Sequence, residues 1–339
     1  MKLVFPSGLA VANILRALTD PVLLKRSVSL LGSGVASGLV GGIAAAKVGV
    51  LGAIELSTST FGAGMVVGAR VTVVEYGDRL IAREDPEVSR EVQAILEREG
   101  VAFHFSVQGA KVTRGSGGQG VRVAFSAGGS MRELEGSHLL AAVGRKANTD
   151  DLGLDQAGIA TDPRGFIVVD DELRTNVPGV WALGDANGKG AFTHTSFNDH
   201  QIVADNLLHG AKRRVHDRIT AYALFIDPPL GRVGMSEAEV RARGKPALVG
   251  VMPMTRVGRA KERGETQGFM KVLVDAESER ILGASLLGIE GDEVVHSLLD
   301  VMAADASYKV IEHAVHIHPT VSELVPTLLG ELKPLTAAP

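Results

Sequence analysis

The chain has 339 residues, with 35 Lys and Arg against 39 Asp and Glu, and it contains no cysteine. The net charge of −4 argues against a protein that binds nucleic acid or anionic lipid by general electrostatic attraction. The lack of cysteine excludes a disulfide, a thiolate nucleophile and a Cys-ligated zinc or iron–sulfur site within these residues. The length predicts two or three domains rather than one.

The N-terminal region is rich in glycine and is either a membrane helix or a glycine-rich segment outside a membrane. Residues 27–46 carry no charged side chain, and Gly34, Gly38 and Gly42 recur at every fourth position, as small residues do at contacts between membrane helices. Ser and Gly nevertheless leave this segment only weakly apolar, which is unfavourable for a membrane span. No convincing secretory cleavage site follows Arg16. We therefore expect a cytoplasmic protein without a membrane anchor.

From residue 71 onward the pattern becomes regular. Residues 71–75 form a β-branched run that is typical of a buried parallel strand. Asp85 and Pro86 suit the start of a helix, with Asp85 as a cap for its free N–H groups, and Gly100 suits its end. Residues 101–105 predict the next strand. The order of strand, helix and strand favours a nucleotide-binding α/β unit.

The segment that follows has the pattern of an antiparallel insertion. Residues 111–134 predict a hairpin or meander, with turns near Gly117 and Gly128. The apolar residues 138–143 predict one further strand.

A nucleotide-binding unit of this kind needs a Gly-rich phosphate turn about 20 residues before an acidic strand end, which here is Glu75. The stretch from Gly32 to Gly34 has a suitable composition but lies too far upstream. Gly52 has a suitable spacing but lacks the further glycines. Glu75 is a candidate ligand of a cofactor ribose, and the alternative is a charged residue that merely ends a strand.

Four segments carry a family resemblance. Residues 175–185 read Thr-Asn-Val-Pro-Gly-Val-Trp-Ala-Leu-Gly-Asp and resemble the second flavin motif of the FAD-dependent pyridine nucleotide-disulfide oxidoreductases, the family of dihydrolipoamide dehydrogenase and mercuric reductase. Residues 142–149 resemble the family's Gly-Arg-x-Pro-Asn-Thr turn, with Ala147 in place of proline. Residues 268–284 resemble its dimerisation domain, and residues 316–323 resemble its C-terminal acid/base motif.

The resemblance implies an α/β protein with a Rossmann-like nucleotide-binding domain and a C-terminal α+β dimerisation domain. We expect four segments: a divergent stretch at 1–66, an incomplete NAD(P)-binding domain at 67–146, a segment completing the FAD-binding domain at 147–217, and the dimerisation domain at 218–339. The dimerisation domain implies a homodimer, and neither nucleic acid nor a membrane is an expected partner.

The flavin motif gives the strongest candidate for a cofactor contact. A strand that ends at Gly184 and Asp185 lets the backbone approach the sugar chain of a flavin, whose hydroxyls a carboxylate can bind. The alternative for Asp185 is an aspartate that forms a turn after a strand. By resemblance, Gly144 and Arg145 also belong to the cofactor-binding residues.

His318 and Glu323 form the candidate catalytic pair. A carboxylate can hold one tautomer of an imidazole and tune it for proton transfer near neutral pH. Pro319 interrupts the backbone, and Ser322 can cap a helix that begins at Glu323, which would permit the contact. The family's histidine serves the redox site of the other subunit, and the alternative is a structural interface histidine. His313, His316 and His318 could also suggest a metal site, but no carboxylate is predicted to converge on them and they form no helical i, i+4 pair, so we expect no metal there.

The resemblance implies hydride transfer from NADH to FAD and onward to an acceptor that the sequence does not identify. NADH is favoured because Glu75 would bind a ribose 2′-hydroxyl and repel a 2′-phosphate. Full family members begin with a domain that carries the first FAD turn and a redox-active cysteine pair, and we expect this chain to lack both, since it has no cysteine. We therefore expect weak or absent FAD retention by the isolated chain and no mercury reduction. The alternative is a truncated, non-catalytic protein that keeps the dimer interface.

Overall fold

The computed structural model describes residues 70–336. The candidate phosphate turns and the uncharged segment 27–46 lie outside the described residues. Within them the chain forms two compact units, one from Gln108 to Val143 and one that combines the preceding residues with those from Gly144 onward. No helix in the described part is long and apolar enough to cross a membrane.

The helices and strands alternate along most of the described chain. In order they are β1 (Thr72–Val74), α1 (Pro86–Arg98), β2 (Ala102–His104), β3 (Gln108–Arg114), β4 (Val121–Ala127), β5 (Ser130–Gly136), α2 (Thr193–His209), β6 (Ala221–Leu224), β7 (Leu230–Gly234), α3 (Glu237–Ala242), β8 (Ala247–Pro253), α4 (Gly258–Arg263), β9 (Phe269–Asp275), β10 (Ile281–Leu287), α5 (Gly291–Ala303), α6 (Lys309–Glu312), α7 (Val325–Gly330) and β11 (Lys333–Pro334). Short 3₁₀ turns add Gly184–Asn187 and Ser322–Leu324.

The predicted strand–helix–strand unit is confirmed. Strands β1 and β2 pair in parallel, with Thr72 opposite Ala102 and Val74 opposite His104, and α1 connects them. Helix α1 buries one apolar face, because residues spaced three and four apart share a side of a helix. The buried apolar residues of this face are Val88, Val92, Ile95 and Leu96.

Asp85 occupies the predicted cap position of α1, but its side chain does not cap the helix. Its carboxylate accepts hydrogen bonds from the Lys271 ammonium at 2.8 Å and from the backbone N–H of Glu237 at 2.8 Å. The carboxylate instead accepts from the first N–H of α3 and pairs with the buried Lys271 ammonium, and this ion pair adds an attraction between full charges that a cap contact within α1 would lack. The cap prediction is therefore wrong in its partner and right in its position.

Lys271 is a buried cation at the centre of a charge cluster in which Asp85 is buried, Glu237 is partly exposed and Glu87 is 39% exposed. The Lys271 side chain is 2% exposed, and its ammonium donates to Asp85, to Glu237 at 2.6 Å and to Glu87. Burial alone would lower the pKa of Lys271, but the three carboxylates outweigh it and raise the pKa. The cluster ties the start of α1 to α3 and β9 within the second unit.

The first unit is a three-stranded antiparallel sheet in the order β3-β4-β5, which confirms the predicted meander. Phe125 is its fully buried aromatic residue. The strand predicted over residues 138–143 is wrong: these residues form no regular strand, and Leu140 is 55% exposed. An apolar run becomes a strand only where a neighbour takes its backbone hydrogen bonds, and the sheet ends at β5.

The C-terminal part is a six-stranded antiparallel sheet in the order β11-β8-β9-β10-β7-β6. Helix α5 packs against β7 and β10, and its first residue, Gly291, lies so close to the sheet that an added Cβ would approach the Leu286 carbonyl oxygen to 2.2 Å. The core between sheet and helices is built from aliphatic side chains and methionines. Its fully buried members include Val233, Met252, Val272, Val274, Leu298, Val325 and Leu328.

Candidate functional site

The candidate flavin motif ends in a tight turn. The segment enters it through Trp181, which pairs with Arg174 in an isolated bridge, and residues Gly184–Asn187 form the 3₁₀ turn. Gly184 has a φ of 71°, and an added Cβ would lie 2.9 Å from Ser196 Oγ. The backbone conformation favours glycine, and a larger residue would also require the Ser196 hydroxyl of α2 to move.

Asp185 presents its side chain on the open side of this turn, where it is 44% exposed. The guanidinium of Arg145 donates a hydrogen bond to its Oδ2 and, through Nη1, another to the Ala191 carbonyl at 3.2 Å. Arg145 follows Gly144, which has a φ of 108°. The structure therefore brings together Gly184 and Asp185 with Arg145 and its Gly144 turn, although the two segments are 40 residues apart.

Asp199 of helix α2 binds the backbone of this turn, a contact that was not predicted from the sequence. Its carboxylate is buried and accepts a hydrogen bond from the Gly184 backbone N–H at 2.8 Å. An acidic residue inside a helix usually faces solvent, so the position of Asp199 in the sequence does not indicate this buried contact.

Glu75 lies immediately after β1, at the carboxyl end of a parallel strand pair. It is 4% exposed, and its Oε1 accepts a hydrogen bond from the Gly77 N–H at 2.6 Å. The position is the one that ribose-binding carboxylates occupy in such units. In this structure the Glu75 carboxylate points toward the loop that follows β1, where it binds Gly77. Its role as a ligand of a ribose stays a prediction.

The predicted contact between His318 and Glu323 is confirmed. Imidazole Nδ1 lies 2.7 Å from Glu323 Oε2, the Glu323 side chain is 13% exposed, and the His318 side chain is 78% exposed. The carboxylate thus holds one ring nitrogen and leaves Nε2 facing outward. Such a pair can pass a proton between Nε2 and a molecule placed against it.

The backbone around this pair differs from the prediction. Ser322 does not cap a helix at Glu323; both residues lie inside the 3₁₀ turn Ser322–Leu324, and α7 begins at Val325. The turn is held by His316, whose Nδ1 lies 2.8 Å from the Ser322 carbonyl oxygen. The catalytic roles of His318 and Glu323 stay predictions.

A groove of about 330 Å³ adjoins the residues that follow His318. Arg259 and Arg263 of α4 line it together with Glu293 of α5 and the hydroxyl-bearing Thr320. The groove therefore carries both charge signs close to the candidate proton-transfer pair.

Within residues 70–336, one group of three carboxylates lies close enough together to share a cation: Asp85, Glu87 and Glu237. The Lys271 ammonium already donates to all three of them. No such group includes His313, His316 or His318 in the described part of the chain.

Two family models match the chain. The model described as pyridine nucleotide-disulphide oxidoreductase matches residues 6–199, and the model of that family's dimerisation domain matches residues 220–329. The chain belongs to this family. The first match begins within the segment 1–66 that the sequence analysis set apart as divergent.

Relatives from this family are identical to the chain at about a third of the aligned positions. The probable pyridine nucleotide-disulfide oxidoreductase RclA of Escherichia coli is 33% identical over 267 residues, which are 78% of this chain and 59% of RclA. The dihydrolipoyl dehydrogenase of Cupriavidus necator is 32% identical over 279 residues, which are 82% of this chain and 58% of that enzyme. The chain thus spans less than two thirds of the length of these relatives.

A solved structure gives the same result. The HOCl-induced flavoprotein disulfide reductase RclA from Escherichia coli superposes with a TM-score of 0.73 at 32% identity, over 79% of this chain and 61% of that one. The predicted fold class, a Rossmann-like domain with a C-terminal dimerisation domain, is confirmed by the family matches and this superposition.

Members of the pyridine nucleotide-disulfide oxidoreductase family use FAD and NAD(H). The exposed carboxylate of Asp185 fits a flavin, because it can accept hydrogen bonds from the hydroxyl groups of the flavin polyol. Asp185 and Arg145 would hold the polyol end of that cofactor.

Proposed function

We propose that the chain is a flavin-dependent NAD(P)H oxidoreductase that passes a hydride from NADH to FAD and from there to an acceptor. The observation that carries this proposal is the turn at Gly184, which holds the exposed carboxylate of Asp185 beside Arg145 in a member of a flavin-using family. When bound, FAD supplies the two-electron carrier that no amino-acid side chain provides.

Asp185 would bind the polyol of the flavin through its carboxylate oxygens. Arg145 engages Oδ2, which leaves lone pairs of the carboxylate for hydroxyl donors. The Arg145 guanidinium also keeps the Asp185 charge compensated, so neutral hydroxyl groups are suitable ligands there.

Glu75 would bind the ribose of NADH. The support is its place after β1 and its negative charge, which suits a 2′-hydroxyl and not a 2′-phosphate. Binding would require the carboxylate to give up or share its hydrogen bond from Gly77.

His318 would supply or accept the proton that accompanies the electron transfer. Glu323 fixes the imidazole through Nδ1, and the 78% exposure of the His318 side chain suits a group that serves a neighbouring subunit. This role requires a homodimer, because His318 would act at the redox site of the partner subunit. The match to the dimerisation-domain model supports such a homodimer. The domain bounds 67–146, 147–217 and 218–339 remain part of the proposal.

The 339 residues contain no thiol, so the chain's own side chains cannot form a redox-active cysteine pair. The disulfide reductase activity for which the related RclA is named therefore does not supply a reaction for this chain. The acceptor in our proposal is a molecule that takes two electrons from the reduced flavin, either directly or through a disulfide that another molecule provides and that is reduced to two thiols.

The test is flavin binding followed by reduction. The purified chain is titrated with FAD, and the flavin fluorescence and visible spectrum are recorded before and after anaerobic addition of NADH. We expect quenching on binding and bleaching of the flavin band, with Asp185→Ala weakening FAD binding at least about tenfold and the exposed Asp151→Ala leaving it unchanged.

The opposite outcomes are equally clear. A folded chain that forms dimers but neither binds nor reduces FAD would identify the non-catalytic alternative. Equal effects of the Asp185 and Asp151 substitutions would remove Asp185 from the flavin site.

A further inference from the structure

Helix α2 presses two side chains onto the turn at Gly184. Ser196 and Asp199 are three residues apart and therefore share one face of the helix. Ser196 closes the space next to Gly184, where an added Cβ would lie 2.9 Å from its Oγ. Asp199 is 1% exposed and lies in the same contact.

A single oxygen of Asp199 ties both ends of the turn together. Oδ2 accepts a hydrogen bond from the Gly184 backbone N–H at 2.8 Å and another from Asn187 Nδ2 at 2.9 Å. Gly184 and Asn187 are the first and last residues of the 3₁₀ turn. The path of the chain through Asp185 is therefore fixed on both sides by one buried carboxylate.

Arg218 supplies the opposite charge that a buried carboxylate requires. Its Nη2 donates to Asp199 Oδ1, and its Nε donates to Asn198 Oδ1 at 2.8 Å. The Arg218 side chain is 14% exposed. The two oxygens of Asp199 thus have separate tasks, one toward the turn and one toward the cation.

The exposed Arg145–Asp185 ion pair is much weaker than the buried contacts that Asp199 makes with the turn. Arg145 and Asp185 are 61% and 44% exposed, and solvent screens exposed ion pairs strongly. The direction of the Asp185 side chain therefore depends on the backbone of the turn, which Asp199 holds.

We propose that Asp199 is a positioning residue for cofactor binding, which acts by fixing the direction in which Asp185 presents its carboxylate to the flavin polyol. This inference rests on the proposed function, because it concerns how the Asp185 site is held. Asp199 does not touch the cofactor; its effect is transmitted through the Gly184 N–H and the Asn187 amide.

Two substitutions separate the tasks of Asp199. Asp199→Ala removes both hydrogen bonds to the turn, and a displacement of a binding group by about 1 Å can change rates or binding up to about 100-fold. Asp199→Asn keeps an oxygen that can accept from Gly184 but loses the charge that Arg218 pairs with. We expect FAD affinity to fall at least about tenfold in the first variant and less in the second.

The full chain is used for two measurements. Hydrogen–deuterium exchange of the peptide that covers residues 184–187 is measured without FAD, and the FAD dissociation constant is measured by flavin fluorescence. Asp205→Ala is the matched control, because Asp205 lies on the same helix and pairs with an arginine, Arg213, at 2.6 Å. We expect faster exchange and weaker binding in Asp199→Ala and neither change in Asp205→Ala.

A double substitution then distinguishes positioning from general support of the fold. If Asp199 acts through Asp185, Asp199→Ala has no further effect on FAD affinity in a chain that already carries Asp185→Ala. Independent, multiplying losses in affinity would overturn the proposal, and so would unchanged exchange at residues 184–187. If Asp199→Ala does not fold, Asp199→Asn takes its place in the same comparison.

Failure of the proposed function gives a different result. A wild-type chain with a protected turn that binds no FAD would refute the flavin assignment of Asp185, and the exchange data alone would then decide whether Asp199 orders the turn.

Discussion

Gly184 tolerates a side chain poorly, and two separable causes produce this restriction. Its φ of 71° lies in the left-handed region, and Ser196 of α2 fills the space where a Cβ would be. Gly210, which ends α2, has a φ of 63° but no heavy atom within 4 Å of an added Cβ. The two glycines therefore differ in crowding while sharing the same backbone conformation.

Gly184→Ala should destabilise the chain more than Gly210→Ala. Both variants lose about 1–2 kcal/mol from the left-handed backbone, and the first loses up to about 1 kcal/mol more, because the Ser196 hydroxyl must rotate away from the new Cβ. Urea unfolding of both variants and the wild type measures the difference. Equal losses would show that the Ser196 hydroxyl moves aside without cost.

At the level of single residues, only contacts between residues of one short sequence motif could be predicted from the sequence. The pairing of His318 with Glu323 spans five residues and was predictable from the types and the intervening proline. The contact of Asp199 with Gly184 spans 15 residues, and that of Lys271 with Asp85 spans 186. Nothing in the local pattern of either aspartate indicates these partners, because the tertiary fold brings them together.

At the level of elements, the Lys271 cluster connects α1, α3 and β9. Breaking a buried ion pair by removing one partner leaves uncompensated charge, which costs far more than losing a surface pair. Lys309, whose side chain is 43% exposed and pairs with Glu279, provides the surface comparison.

Lys271→Met should lower the free energy of unfolding by about 3–5 kcal/mol, because it leaves Asp85 and Glu87 without their cation and Glu237 with Arg241 alone. Lys309→Met should lower it by less than about 1 kcal/mol. Chemical denaturation at neutral pH measures both. Similar small losses in the two variants would mean that water reaches the cluster and screens it.

The predicted elements differ in how much of their stability is local. Helix α1 has a strong apolar period, and β3 to β5 have tight glycine turns, so both were predictable. Residues 138–143 have only an apolar composition, and the structure gives them no strand partner. A strand prediction therefore needs a neighbour as well as a pattern.

On the scale of the whole molecule, acid should weaken the second unit through Glu237. Burial alone would raise the pKa of Glu237, but hydrogen bonds from Lys271 and Arg241 outweigh it and hold the pKa below its usual 4.5. A lowered carboxyl pKa contributes stability above about pH 4.5, and this contribution disappears as the pH falls through the folded value.

Glu237→Gln should therefore reduce the loss of stability on going from pH 7 to about pH 3.5. Urea unfolding at both pH values is compared for this variant, the wild type and the exposed Glu265→Gln. Other groups, such as Glu84, whose pKa is raised by burial, cancel in this comparison. A wild-type pH dependence retained in Glu237→Gln would contradict the assignment.

Self-association is also a property of the whole molecule. Val315 and Ile317 are 98% and 78% exposed, beside the turn that holds His318, and exposed apolar groups of this kind mark protein interfaces. Ile317→Asp should shift a homodimer toward monomer at micromolar concentration, whereas Met131→Asp, in the other unit and 73% exposed there, should not. Sedimentation velocity measures the shift, and a dimer unaffected by Ile317→Asp would place the interface elsewhere.

The Lys271 cluster also restricts how this sequence can vary over evolutionary time. One cation faces Asp85, Glu87 and Glu237, with almost no solvent around its ammonium. A neutral residue at any one of these four sites changes the value of the other three, so tolerated changes there should come as compensated sets. We therefore expect substitutions at these four positions to have strongly non-additive effects on stability.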